Sequence, residues 1–392
     1  MQKKPLSDIA IWLLIVMPAS AAMFAALQLQ SLSLLALVFG VAALECGVRG
    51  DARFPVVVAN YFVVLLAAIC SYVLVGFGLM YGTPIFEIYG QPADFLTEPY
   101  GPLVDLFLQT LLLSQAAILF VAGVQVAHPF RVGLQVVLAI LFSGLIYPMF
   151  GRWNWGGGFL SLLEFQDFTG GTAVCETAGW ATLGAVWILN RMPSPSQRSH
   201  EVAGESTPQR PSAWCLAIAG VLLWVVLAGA SLFWMLLPTG EPDTIVLQIA
   251  VNANLSVAAS LIVALTLSRP LFGAWRGTVI IGGIVVGAAA CYSGIDSFSA
   301  EMSLLVGAVA AVLFVGAVYV AEKVLPRVNL SLPLALGVGG MWGSIATGLF
   351  SEYATVRTQV VGSLVALVWA GGVTALFMCV AILLSQVVRK GE

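Results

Sequence analysis

The sequence predicts an all-α polytopic membrane protein, and three observations support this fold class. Of the 392 residues, 60% are hydrophobic and only 9% are charged, and the mean hydropathy is +0.99, far above that of ordinary soluble domains. Apolar runs of about 20 residues, the length that crosses a bilayer, recur along the whole chain. The basic residues between these runs are distributed very unevenly between the two sides.

Eleven transmembrane helices are predicted from the length and hydropathy of these runs. Each run is long enough to cross roughly 30 Å of hydrocarbon as a helix. In chain order the runs lie at 29–47, 55–80, 103–126, 132–150, 170–189, 213–237, 244–267, 277–294, 301–320, 331–349 and 359–384.

The N-terminal 21 residues are predicted separately to be a secretory signal peptide. Two lysines and an apolar run from Ile9 precede Pro18 and a small-residue triplet that fits cleavage after Ala21. The alternative is an uncleaved additional helix. On the signal-peptide interpretation, the membrane domain covers 22–392.

The basic residues set the predicted orientation. Of the 16 Lys and Arg residues, only Arg152 and Arg357 fall on the outer side of the eleven-helix arrangement. Cytoplasmic loops carry such an excess of positive charge, and a missed helix would invert every later loop. We therefore expect a multi-pass protein of the cell (inner) membrane, with the mature N-terminus outside and the C-terminus in the cytoplasm.

A polar linker divides the helices into two sets. Residues 193–211 are rich in Ser, Pro and charge, which predicts a disordered cytoplasmic segment. An inverted repeat of five plus five helices with one added helix would produce this division. The predicted parts are a first half at about 29–190, the linker at 191–212, a second half at 213–349 and a last helix at 359–384. A weak internal echo supports the repeat, since AGWATLG (178–184) resembles GGMWGSIATG (339–348).

Enzymatic chemistry finds no support in the sequence. There is no phosphate-binding loop and no zinc-protease or serine-hydrolase signature, and His128 and His200 are predicted in loops. The six cysteines form no disulfide framework or metal-ligand pattern. We expect a protein that is not an enzyme, has no metal or other cofactor and binds no nucleic acid.

Residues 153–182, WNWGGGFLSLLEFQDFTGGTAVCETAGWAT, resemble a signature of the ammonium transporter (Amt/Rh) family. The family's form runs roughly W-G-G-G, a short loop, D-F-A-G-G-T-x-V-H and then A-G. The segments VNANLSVAAS (251–260) and LGVGGMWGSIATG (336–348) are similar to two further family motifs. The resemblance implies an eleven-helix fold, a homotrimer with one hydrophobic pore per subunit, and ammonium or ammonia as the substrate.

The resemblance assigns an outer recruitment site to Trp155 and Ser231, and it aligns Asp167 with a buried acid that shapes this site. An indole face attracts a monovalent cation by about 1–2 kcal/mol, although external tryptophans are also common as interfacial anchors. A carboxylate at the start of a helix also serves as a cap. Both roles of Trp155 and of Asp167 therefore stay open.

The resemblance also implies an altered central pore. Leu113 and Leu227 stand where the family has two gating phenylalanines, and Cys175 and Leu336 stand where it has a pair of histidines that handle the proton of ammonium. A thiol facing a leucine cannot relay a proton as two imidazoles do. We therefore expect a drier pore that conducts without a histidine pair.

Glu176 follows Cys175 in the fifth predicted helix. An acid inside the membrane is by default a functional hypothesis. Glu176 either lines the pore, faces a neighbouring subunit or pairs with a polar group such as Ser299, and the sequence does not choose among these.

The predicted function is a transmembrane ammonium/ammonia transporter or channel. The alternatives are a non-transporting ammonium sensor or assembly partner with the same fold, and a channel for another small neutral solute. The short tail SQVVRKGE after the last helix argues against a cytoplasmic regulatory partner, which relatives bind through a longer tail.

Overall fold

Eleven helices make up almost all of the described chain. The computed structural model describes residues 17–50, 53–85, 89–90, 103–191, 211–230, 243–326 and 328–391. Within these ranges nine helical segments are long and apolar enough to cross a membrane, and two shorter apolar helices complete the set. In chain order the helices are α1 (Met17–Arg49), α2 (Phe54–Tyr81), α3 (Leu103–Ala127), α4 (132–154), α5 (Gly171–Leu189), α6 (Ala213–Ala230), α7 (Asp243–Phe272), α8 (Gly277–Tyr292), α9 (Ala300–Val324), α10 (Ser331–Phe350) and α11 (356–391).

The predicted spans are confirmed as helices throughout the described residues. A helix satisfies every backbone polar group within its own segment, which is why long apolar runs adopt it in lipid. The sixth span was predicted to reach residue 237, but 231–242 lie outside the described residues. Helix α1 begins at Met17, before the predicted cleavage point at Ala21, so cleavage there stays a prediction. The linker prediction concerns residues that are mostly outside the described ranges.

Two short elements lie in the predicted outer loops. After α2, β1 (Pro84–Ile85) pairs antiparallel with β2 (Tyr89–Gly90). Between α4 and α5, a single helical turn covers Phe159–Leu162. The rest of the predicted aromatic and acidic loop after β2 falls outside the described residues.

Four helices contain a π-helical turn, which the hydropathy pattern does not predict. A π turn holds one more residue than an α turn, so it changes which way the neighbouring side chains point. The turn in α5 includes Cys175 and Glu176, and it therefore determines the directions of both side chains. The four turns are Tyr72–Gly76, Phe142–Ile146, Gly171–Glu176 and Leu367–Gly371.

Helices α1 and α6, the first helices of the two predicted halves, pack against each other in opposite directions. A Cβ at Gly40 would lie 3.2 Å from Cβ of Leu222, and one at Gly47 would lie 2.8 Å from the Leu216 side chain. The contact positions rise along α1 as they fall along α6. This is the antiparallel pairing that an inverted repeat requires.

Helices α5 and α10, the last helices of the two halves, are also antiparallel. A Cβ at Gly179 would lie 2.3 Å from the backbone nitrogen of Gly337, and one at Gly340 would lie 2.7 Å from Cβ of Glu176. Only glycine permits such a backbone approach, as in the small-residue contacts common between membrane helices. The last helices of the two halves thus meet in one tight contact, called here the junction of α5 and α10.

Helix α11 runs parallel to α5 on the other side of this junction. Near its start Ser363 contacts Glu176, and further along the carbonyl oxygen of Gly371 lies 2.3 Å from a Cβ built at Gly184. Successive spans cross a membrane in opposite directions, so α5 and α11 must be parallel to each other and antiparallel to α10. The observed contacts agree with this.

Candidate functional site

Asp167 closes the N-terminal end of α5. Its Oδ1 accepts hydrogen bonds from the backbone N–H of Thr172 (3.1 Å) and from the Ser293 hydroxyl (3.1 Å), and its Oδ2 accepts one from the N–H of Ala173 (2.8 Å). Burial raises the pKa of this carboxyl, and the three donors act in the opposite direction. The cap predicted as one of its two roles is present, and it is supplemented by a donor from α8.

Trp155 is joined to Asp167 at the same end of the bundle. Its indole Nε1 donates to the Asp167 carbonyl oxygen at 3.0 Å, and the ring is half-buried. Gly170 comes directly before α5 with φ of 91°, a left-handed conformation that glycine adopts without strain. The structure therefore brings together two of the three residues assigned to the outer site. The third, Ser231, lies outside the described residues.

The loop that carries Asp167 is held by the C-terminal end of α8. The backbone N–H of Phe168 donates to the Ser293 carbonyl (3.0 Å), and the N–H and hydroxyl of Thr169 both donate to the Tyr292 carbonyl (3.1 and 2.9 Å). The Tyr292 hydroxyl in turn donates to the Leu227 carbonyl oxygen on α6. The sequence interpretation missed Tyr292 and Ser293, whose only signal is a polar pair ending an otherwise small and apolar helix.

The four residues assigned to the central pore are all buried in one apolar core. Leu113 and Leu336 have no exposed surface, and Cys175 and Leu227 are 1% exposed. Side chains lining a water-filled channel would retain exposed surface. No water-sized space therefore lies against these four side chains in this conformation.

Glu176 lies at the junction of α5, α10 and α11 and is fully buried. Its Oε1 accepts a hydrogen bond from Trp180 Nε1 at 2.9 Å, and its Oε2 accepts one from the Ser363 hydroxyl at 3.1 Å. Ser299, which the sequence offered as a partner, instead caps α9 by accepting from the backbone N–H of Met302. The sequence had no means of locating Ser363, which is 187 positions away.

Histidine is absent from the eleven helices as far as they are described. His128 follows α3 in a turn, where burial lowers its pKa, and His200 lies outside the described residues.

A separate groove of about 830 Å³ lies between α6 and α8, lined by Leu216, Trp224 and Ile281 among others. None of the predicted site residues lines it.

A bundle of inverted halves whose last helices meet at a buried central junction defines a membrane protein of the channel and transporter class. A profile of the Ammonium Transporter Family matches residues 25–390, and the chain belongs to this family.

Individual relatives agree with this assignment. A putative ammonium transporter of Synechocystis sp. is 29% identical over 348 residues, which cover 84% of this chain and 76% of the relative. Ammonium transporter Amt2 of Archaeoglobus fulgidus is 26% identical over 347 residues, covering 83% and 72% of the two chains.

Solved structures share the fold. A sensor Amt protein superimposes with a TM-score of 0.78 at 20% identity, over 93% of each chain. Mep2 of Candida albicans gives a TM-score of 0.72 at 20% identity, over 91% of this chain and 83% of its own.

Proposed function

We propose that the protein conducts ammonium nitrogen across the cell membrane as neutral ammonia, through one hydrophobic path in each subunit and without a histidine pair. The observation that carries the proposal is the burial of Cys175 and Leu336 on the two helices of the α5–α10 contact, in a chain of the ammonium transporter family. Relatives that match most of this chain are named ammonium transporters.

The chemistry of the path favours the neutral species. Leu113, Leu227 and Leu336 offer no hydrogen-bond acceptor to replace the water around an ammonium ion. Moving such an ion into apolar surroundings without compensation is strongly unfavourable, whereas ammonia loses far less hydration. Ammonium is therefore recruited near Trp155 and Ser231, transfers a proton to external water there, and crosses as ammonia.

The proposal extends to assembly and placement. By analogy with the family we propose a homotrimer, with the mature N-terminus outside and the C-terminus in the cytoplasm. The charge distribution of the loops supports this orientation. Transport rather than sensing is the preferred activity, because the likeness to the sensor Amt protein is one of fold alone.

Flux into proteoliposomes tests the proposal. We expect an ammonia gradient to raise the internal pH faster than in empty vesicles. Equal rates in protein-containing and empty vesicles would contradict transport and favour the sensor or assembly alternative. A matched measurement with a small uncharged solute that is not an amine tests the third alternative.

A double substitution tests the positions assigned to the pore. Cys175→His combined with Leu336→His places two imidazoles at the proposed junction, and we expect an ammonium-dependent current that the parent lacks. The matched control is Cys379→His, on a partly buried face of α11. No difference between the double variant and the parent would show that the two positions do not share the path.

A further inference from the structure

Glu176 is an acid inside the membrane-spanning part of the protein that the proposed transport path does not use. Its two recorded hydrogen-bond donors, Trp180 and Ser363, are neutral. The backbone of α10 presses against it, since a Cβ at Gly340 would lie 2.7 Å from Cβ of Glu176. The carboxyl group is therefore enclosed by three helices.

No described basic side chain neutralises this carboxyl. Ion pairs among the described residues include Glu45 with Arg49 and Glu322 with Arg276, and no basic group acts on the Glu176 carboxyl. The basic residue of the nearby α4, Arg152, donates instead to the carbonyl oxygens at the end of α2.

The other titratable groups around Glu176 would be neutral or negative. Helix α10 has no titratable residue, and α11 has none within one turn of Ser363. The surrounding titratable groups on α5 and its preceding loop, on α8 and on α4 are Asp167, Cys175, Cys291, Tyr292 and Tyr147.

A row of buried polar groups, here called the polar seam, lies between this acid and the outer surface. We define it by Gln166, Thr172, Ser344, Gln359 and Ser363. With the Gln359 amide oriented to donate to Ser344 Oγ (2.7 Å), the same amide also donates to the Gln166 carbonyl (3.1 Å) and accepts from its N–H (2.8 Å).

The seam leads from an exposed position to a fully buried one. Gln166 is exposed, and Ser363 lies one helical turn, about 6 Å, beyond Gln359 along α11. The Thr172 hydroxyl is fully buried one turn before Glu176 on α5 and lies beside its carboxyl group.

The close packing of these polar groups leaves protonation as the way to neutralise Glu176. Thr172, Ser344, Gln359 and Ser363 are each at most 1% exposed, so there is no space beside Glu176 for a metal or ammonium ion. An isolated carboxylate in such surroundings is strongly disfavoured. A proton needs no space, and a protonated carboxyl retains both neutral partners.

We propose that Glu176 is a proton-binding site, loaded from the outer face through the polar seam, whose occupancy controls the contact between α5 and α10. Loss of the proton leaves a charge against the α10 backbone and draws water into the seam. Because α5 carries Cys175 and α10 carries Leu336, this loosens the junction that closes the path. The second part of the inference rests on the proposed function.

Infrared difference spectroscopy tests proton binding without reference to transport. In lipid at neutral pH, the C=O stretching band of a protonated carboxyl should be present in the parent, absent in Glu176→Gln and retained in the control Glu352→Gln, an exposed outer acid. Identical spectra for the parent and Glu176→Gln would overturn the proposal.

Two further variants and a matched control keep the test valid if Glu176→Gln does not fold. Ser363→Ala removes one donor and should shift the band to higher frequency, whereas Thr374→Val, which only breaks a bond within α11, should not. Gln359→Leu should slow the shift of the band in heavy water. An unshifted band in Ser363→Ala would contradict the assignment.

Ammonia flux tests the control of the junction. Permeability is compared at equal free ammonia at about pH 6 and about pH 9, a range that brackets the titration of buried glutamates. We expect the parent to be about threefold or more faster at the higher pH, and Glu176→Gln, which stays neutral, to have a ratio of about one.

The outcomes separate the two proposals. If Glu176→Gln keeps the parent's ratio, Glu176 does not control the junction. If the parent shows no flux above empty vesicles, the transport function fails, while the infrared band still decides whether Glu176 binds a proton.

Discussion

Two roles were predicted for Asp167, a helix cap and a part of the outer site. Its hydrogen bonds account fully for the cap. Its carboxylate accepts from the first free N–H groups of α5 and from Ser293. An acid ahead of an apolar run predicts the cap from sequence alone. The Ser293 bond spans 126 positions and depends on how α8 meets the loop, so no local pattern predicts it.

Removal of this carboxylate should destabilise the protein. Asp167→Ala leaves two backbone N–H groups and a hydroxyl without their acceptor, a loss of about 2–3 kcal/mol. We expect thermal unfolding in detergent, followed by tryptophan fluorescence, to fall by about 5 °C or more. Asp167→Asn keeps one carbonyl oxygen and should lose less. Glu352→Ala serves as the exposed control, and an equal effect of both alanine variants would contradict the cap.

Trp155 offers a separate test of the outer site. Trp155→Ala removes an attraction of about 1–2 kcal/mol for a cation, which should raise the half-saturating ammonium concentration about tenfold. Trp155→Phe keeps an aromatic face but loses the bond to the Asp167 carbonyl, and it should have a smaller effect. Trp214→Ala, at an exposed position on α6, is the control. An unchanged half-saturating concentration in Trp155→Ala would leave Trp155 as an interfacial anchor.

At the scale of elements, the contact between α5 and α10 depends on glycine. Gly179→Ala would place a Cβ 2.3 Å from the Gly337 nitrogen, so the helices must separate. We expect a marked loss of thermal stability and altered ammonia flux. Gly316→Ala on α9, where a Cβ meets no atom within 4 Å, should be neutral or slightly stabilising because alanine favours helix by about 1 kcal/mol. Equal stability of the two variants would contradict the tight junction.

The helices were predictable and the directions of their side chains were not. Hydropathy predicts each span because lipid leaves the backbone no alternative to a helix. It does not predict the π turn at Gly171–Glu176, which depends on packing against α8 and α10. For this reason the sequence located Glu176 in α5 but left three directions open.

For the whole molecule, the charge distribution and the helix contacts agree on an alternating arrangement. The partners in the antiparallel pairs α1–α6 and α5–α10 must be an odd number of positions apart in the order of spans, and five-helix halves place them five apart. The sequence predicted this organisation from loop charge and from one weak internal echo. The domain boundaries themselves stay predictions, since the linker lies mostly outside the described residues.

Reporter fusions test the orientation. Alkaline phosphatase should be active when inserted in the loop 351–355 and inactive in the linker 191–212, and a fluorescent protein at the C-terminus should fold in the cytoplasm. The mass of the purified protein should correspond to a chain that begins at residue 22. Phosphatase activity in the linker would show that the protein has the opposite orientation. An intact mass would identify the N-terminal segment as an uncleaved helix.

The dense apolar packing at Leu113, Leu227 and Leu336 also bears on the proton gradient across the membrane. A continuous file of water through a membrane protein would carry protons by hopping between molecules and dissipate the gradient that drives ATP synthesis. The buried Leu113, Leu227 and Leu336 leave no room for such a file, and no imidazole replaces it there. If ammonia crosses along the proposed path, we expect the conformation described here to block proton hopping past these three leucines.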